Sequence, residues 1–191
     1  MVSRFQSDLE ACLAVLEKGG LILYPTDTIW GIGCDATNAA AVEKIFKLKK
    51  RPDEKTMIVL LAEEEDIIKY ISKPDPRIAD YLKALVKPTT VIYDGAVGFA
   101  ENLVSPDQTI AIRIVKDLFC KHLIKRLHKP LVSTSANITG FAAPQTFAEI
   151  DDVIKNGVDY IVQHRQEEKE PAQPSTIIKW NADGAVTVIR S

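Results

Sequence analysis

Short apolar runs of strand length, each closed by a breaker or followed by a stretch of helical periodicity, recur along the whole chain. Residues 21–24 (Leu-Ile-Leu-Tyr) form one such run and end at Pro25, whose missing N–H cannot extend a ladder. Further strand-like runs fall at 57–61, 89–93, 109–115, 130–133, 158–162, 175–179 and 185–189. Between them lie helical patterns. Ser7 with Glu10 reads as a capping box, Leu9, Leu13 and Leu16 follow at helical spacing, and Gly19-Gly20 stops the run. Asn38 caps a second helix with Val42, Ile45 and Phe46 on one face and Lys44 and Lys47 on the other. Residues 63–71 and 77–85 read as helices separated by the breaker run Ser72-Lys73-Pro74-Asp75-Pro76. Residues 117–127 place Leu118, His122 and Leu123 inside, with Lys121, Lys125 and Arg126 outside, and 146–156 reads as a last helix. Interleaved strands and helices define an α/β fold, and the β-rich end points to a mixed rather than purely parallel sheet.

Composition narrows the class. At 191 residues and 46% apolar, the chain is expected to bury about 70% of its unfolded surface in one core, a single domain over 1–191. A net charge of −2 argues against holding nucleic acid by bulk charge. Cys12, Cys34 and Cys120 are widely separated and His122, His128 and His164 lack ligand spacing, which excludes a disulfide framework and leaves no structural metal site. No signal peptide is expected at the start, and the longest apolar runs, such as 57–62, are too short to cross a bilayer. The expected location is the cytoplasm, with no membrane partner.

Familiar nucleotide loops and the nucleophile elbow are missing: no GxxxxGK[ST], GxGxxG or GxSxG occurs. Three segments instead carry polar side chains at i and i+2: Thr26 and Thr28, Lys49 and Arg51, Ser135 and Asn137. In extended backbone such pairs share a face. Pro52 disfavours helix at Arg51, so Lys49 and Arg51 are expected to project side by side instead of roughly 200° apart around a helix. Two cations facing small hydroxyl and amide groups would form a cradle for a triphosphate, at the strand ends where α/β folds place their sites. The blander readings are a dipole-complementing helix end for residues 49–51, turn formers for Ser133, Ser135 and Asn137, strand-end hydroxyls for Thr26 and Thr28, and an edge residue for Arg113.

In order along the chain stand YPTDTIWGIG at 24–33, KKRP at 49–52, TIAIR at 109–113, STSANITG at 133–140 and PSTI at 174–177. Together, over about residues 8–190, these resemble the YrdC family. The resemblance implies a twisted, open mixed sheet with flanking helices around a concave, positively charged cavity. It also implies an activity: L-threonine, bicarbonate or CO2 and ATP give L-threonylcarbamoyladenylate and pyrophosphate, a nucleotidyl transfer that feeds modification of the adenosine beside the anticodon in tRNAs reading ANN codons. The second step belongs to downstream threonylcarbamoyl-transferase machinery. By the same resemblance Arg51, Lys55, Thr109, Ser135 and Arg190 match nucleotide contacts, while Thr28, Arg113, Ser133 and Ser175 match the threonine pocket. Lys49, Arg51, Ser135 and Asn137 are the residues expected to act on phosphate. Mg2+ is expected mainly on the triphosphate and water rather than on a protein metal site.

The chain departs from the family pattern at Val86–Thr90, which lacks a glycine, and at Trp30, Thr56, Leu60 and Gln163-His164. Two other functions fit parts of the sequence. Residues 110–130 carry six Lys/Arg against one acid, a local net of +5, whereas 145–171 carry a net of −4. The basic stretch suits a non-catalytic RNA-binding or ribosome-associated module with direct tRNA or RNA contact. A paralogue resembling YciO would keep the fold but lack the Lys49/Arg51 and Ser135/Asn137 pairs, both of which this chain retains.

Overall fold

The computed structural model describes residues 4–50, 57–181 and 184–191. Nine strands form one sheet in the order β7-β1-β2-β6-β3-β5-β4-β8-β9: β1 Ile22–Tyr24, β2 Gly31–Gly33, β3 Ile58–Leu61, β4 Thr89–Asp94, β5 Thr109–Ile114, β6 Leu131–Ser135, β7 Tyr160–Ile161, β8 Thr176–Trp180 and β9 Val186–Arg190. The sheet is mixed. β1 with β7, β3 with β5 and β4 with β8 run parallel, and the remaining neighbours run antiparallel.

Among the described residues five α-helices flank the sheet: α1 Gln6–Glu17, α2 Ala39–Lys49, α3 Arg77–Ala84, α4 Leu118–Leu127 and α5 Asp152–Asn156. Asn38 caps α2 as expected, its Oδ1 accepting from the Ala41 N–H at 3.1 Å. Asp117 caps α4 in the same way through Cys120 N. Helices α1 and α4 pack together, with Phe5 meeting Phe119 edge-to-face at 5.6 Å. Leu9, Leu16, Ile22, Leu23, Val59, Ile112, Phe119, Leu123 and Val132 fill the core beneath them, each at most 2% exposed.

Several local expectations change. Helix α1 begins at Gln6, before Ser7, and has no side-chain cap, so the capping box does not form. Residues 63–71 form only a 3-10 turn over Glu64–Lys69. The single helix expected over 146–156 is split into a 3-10 turn Phe147–Glu149 and α5, because Asp151 caps a new start at Val153 N. Leu118, expected inside, is exposed. Strand β2 is short and rich in glycine, which hides it from an apolar-run reading. Those glycines are needed: a Cβ on Gly33 would sit 2.6 Å from the Tyr24 ring and 2.8 Å from the Val132 carbonyl. The Tyr24 hydroxyl crosses there to donate to that carbonyl at 3.1 Å.

Candidate active site

Strand register places a defined set of side chains on one face of the sheet. Ile58 lies opposite both Ala111 and Ser133, Arg113 opposite Thr90, Ile92 opposite Ala111, Gly31 opposite Ser135, and Ile177 opposite both Thr90 and Arg190. Paired residues point to the same side, and residues two apart on a strand share that side. A cavity of about 320 Å3 lies over this face. Of the expected site residues it gathers Thr28, Arg113, Ser133, Ser135, Ser175 and Arg190.

Arg113 is the chemical centre of the cavity. It sits in a central strand, not at an edge, and is 3% exposed. Its Nη2 lies 3.3 Å from Asp27 Oδ1, close enough for an ion pair but not aligned as a hydrogen bond. Its Nε and Nη2 are buried and without a hydrogen-bond partner. A buried guanidinium with idle donors is costly to keep. Its planar fork matches a carboxylate.

Small hydroxyls surround that cation. Thr26 Oγ1 accepts from the Thr28 N–H at 3.0 Å and lies 2.9 Å from Thr28 Oγ1, which fixes the turn after Pro25. Ser175 Oγ is 2.8 Å from Thr90 Oγ1, both fully or almost fully buried. Arg190 donates through Nη2 to the Ser175 carbonyl at 2.8 Å. Burial, and then the like charge of Arg113, lower the Arg190 pKa from its ordinary value. A second cation therefore faces the same space. Trp30 walls the cavity and packs on Phe147 with ring centroids 4.8 Å apart.

Other expected residues lie elsewhere. Lys49 was expected in extended backbone beside Arg51. It is instead the last residue of α2, with Lys50 in the left-handed conformation behind it, because the helix runs through to its C-cap. The residue is 1% exposed, and its ammonium donates to the carbonyls of Ser135 and Asn137, the latter at 2.6 Å. The Lys49 carbonyl accepts from Thr139 N at 2.9 Å. Asn137 turns its amide back onto its own loop, donating to the Ile138 and Phe141 carbonyls. Neither Lys49 nor Asn137 lines the cavity. Thr109 does not line it either. Its hydroxyl lies 2.6 Å from Ser105 Oγ and donates to Asp107 Oδ1 at 3.0 Å. Arg51 and Lys55, and with them Thr56, lie outside the described residues.

Three contributors escaped sequence reasoning. Thr90 supports Ser175, Asp27 supports Arg113, and Asp8 collects the N–H groups of Gln163 and His164 at 3.0 and 2.9 Å. The first two were visible only as polar residues inside or beside apolar runs. Leu60 is fully buried opposite Arg113 and does not line the cavity. Among the described residues no carboxylate, histidine or cysteine lines the cavity. The three cysteines are buried, and burial pushes each thiol up, which makes them poor nucleophiles.

Known proteins resemble this chain in sequence and in fold. The family model Sua5_yciO_yrdC, described as "Telomere recombination", matches residues 14–191. A threonylcarbamoyl-AMP synthase of Pseudoalteromonas translucida is 33% identical over 179 residues, covering 90% of this chain and 92% of the relative. One from Idiomarina loihiensis is 35% identical over 150 residues, covering 76% and 80%. Among solved structures, P. abyssi Sua5 complexed with L-threonine superposes with a TM-score of 0.83 at 22% identity, over 97% of this chain but 54% of the other. The chain thus spans about half the length of that protein. E. coli YciO superposes at 0.81 with 24% identity, over 97% and 89%. Both structures share the mixed α/β fold. With a family model covering nearly the whole chain and relatives above 30% identity along most of their length, this chain belongs to the Sua5/YciO/YrdC family.

Proposed function

We propose that this chain is a threonylcarbamoyl-AMP synthase, a nucleotidyltransferase that joins L-threonine, bicarbonate or CO2 and the adenylyl group of ATP. The observation that carries the reading is Arg113, a buried guanidinium with two idle donors among Thr28, Ser133 and Ser175. An α-carboxylate supplies the acceptors that this fork lacks. The names of the curated relatives and the threonine complex of the P. abyssi structure support the same substrate.

The chemistry asks for positioning and charge stabilisation more than for a general base. The neutral threonine amine adds to CO2 and releases a proton to water, which leaves a carbamate anion. One carbamate oxygen attacks the α-phosphorus, the new P–O bond forms, and the α–β bridging bond breaks to release pyrophosphate. An anion must approach an anion, which oriented cations and donors make feasible. Arg113 would hold the amino-acid carboxylate, Ser133 and Thr28 would line its side chain, and Ser135 with Arg190 would face the nucleotide. Arg51 and Lys55 are proposed as further phosphate contacts on the resemblance alone. Lys49 and Asn137 would act indirectly, by holding the 135–139 loop in shape. Magnesium would arrive on the triphosphate, which suits a cavity lined by hydroxyls and cations.

The RNA-binding reading has less support. Lys121 and Lys125 pair with Glu63 at 3.3 and 2.5 Å, Lys129 with Asp35 at 2.6 Å, and Arg113 with Asp27. Carboxylates from other segments therefore occupy much of the basic stretch. Contact with tRNA, delivery of the adenylate to transferase machinery and a cytoplasmic site of action remain part of the proposal. Among the described residues no helix is long and apolar enough to cross a membrane.

Pyrophosphate release tests the reading. Release from ATP should require both L-threonine and bicarbonate and should fall to background when either is omitted. Release that ignores threonine would overturn it.

A further inference from the structure

We propose that Asp27 is the positioning residue that keeps the Arg113 end of the cavity selective for a zwitterionic amino acid against phosphate anions. The inference rests on the reading of that end as an amino-acid site. Asp27 does not line the 320 Å3 cavity. It lies behind Arg113, with Oδ1 3.3 Å from Nη2 and Oδ2 accepting the Lys116 N–H at 2.9 Å. The carboxylate is thus held from its far side, and its near oxygen is buried without a hydrogen-bond partner. It balances the charge of Arg113 without filling the fork.

This arrangement answers a problem built into the cavity. Arg190 and Ser135, on the side assigned to the nucleotide, share one space with Arg113. An uncompensated buried cation would attract any anion, so phosphate, pyrophosphate or the triphosphate itself could dock at the wrong end. With Asp27 behind it, the Arg113 end is close to neutral. A zwitterion brings no net charge and can satisfy the idle Nε and Nη2 donors. A polyanion gains the same hydrogen bonds but meets the Asp27 carboxylate at short range. Selectivity here comes from a built-in repulsion as well as an attraction.

The test is competition by inorganic phosphate in binding titrations of L-threonine and in pyrophosphate-release kinetics. In the unmodified protein phosphate should compete with ATP and leave L-threonine affinity unchanged. The isosteric Asp27→Asn keeps an oxygen for the Lys116 N–H but removes the charge. Phosphate should then also compete with L-threonine, with an inhibition constant at least about tenfold lower. A purely structural role would leave that constant unmoved in D27N, and this result would overturn the proposal. Should D27N fail to fold, competition between phosphate and L-threonine in the unmodified protein would overturn it equally. A protein that does not bind L-threonine at all would instead overturn the amino-acid reading on which it rests.

Discussion

Two buried cations, Arg113 in β5 and Lys49 at the end of α2, stand in opposite states. Arg113 is 3% exposed and keeps two buried donors idle at the wall of the cavity. Lys49 is 1% exposed and spends its ammonium on the carbonyls of Ser135 and Asn137. Both are expensive to bury, and what repays that cost differs. Lys49 is repaid on folding, by ordering the loop that carries Ser135. Arg113 is repaid only in part, by Asp27, and on the proposed function a ligand carboxylate would supply the rest. The lesson concerns how to read a charged residue in a site: the partners it already has indicate whether it acts on the ligand or on the fold.

The sharpest way to break this contrast is Arg113→Ala. It removes the fork, so L-threonine binding should weaken by about 2–5 kcal/mol, some thirtyfold or more, in calorimetric titration. Combined with Asp27→Asn, which removes the carboxylate that would otherwise lose its cation, it should leave thermal stability little changed. Lys49→Met should do the reverse. It leaves buried carbonyls unpaired and should cost about 2–4 kcal/mol of stability, read as a lowered denaturant midpoint. Activity should fall with it, since Ser135 loses its support. Equal effects of both variants on threonine affinity, with no difference in stability, would remove the contrast.

How far this could be foreseen follows from what each residue touches. The alternating elements were legible because apolar runs and helical periodicity are local signals, and the register that brings Ser133, Arg113 and Thr90 onto one face lies within those strands. The motif resemblance named the six residues that meet in the cavity. The direction of Lys49 was not legible. Pro52 constrains only its neighbour, and the carbonyls that capture the ammonium lie 86 and 88 residues away. Asp27 and Thr90 were missed for the same reason: their roles depend on Arg113 and Ser175, which approach only in the folded sheet. Strand β2 was missed because the two glycines of Gly31-Ile32-Gly33 outweigh the β-propensity of Ile32. Its glycines are fixed by the Tyr24 ring and by close contact with β6.

Smaller effects refine the comparison. Gly31→Ala places a Cβ 3.1 Å from Ser133 Oγ and 3.4 Å from the Thr134 carbonyl, on the cavity side. It should raise the threonine KM about threefold to tenfold while stability changes by less than about 1 kcal/mol. The smallest effect concerns Glu63, far from the cavity. Hydrogen bonding to Lys125, and less so to Lys121, lowers its pKa from the ordinary 4.5. A lowered carboxylate pKa contributes stability that is present above about pH 4.5 and is lost as pH falls through the folded value. Glu63→Gln should therefore lower stability at pH 7 by under about 1 kcal/mol, because the pair is partly solvated, and should flatten the acid limb of the stability curve. Threonine binding should not change.

The central claim is that the idle donors of Arg113 wait for an α-carboxylate. Calorimetric titration of the unmodified protein with L-threonine and with L-threoninol, which replaces the carboxylate by an alcohol, tests it most directly. The account predicts binding of L-threonine and a loss of at least about thirtyfold for L-threoninol. Equal affinity for the two would contradict it.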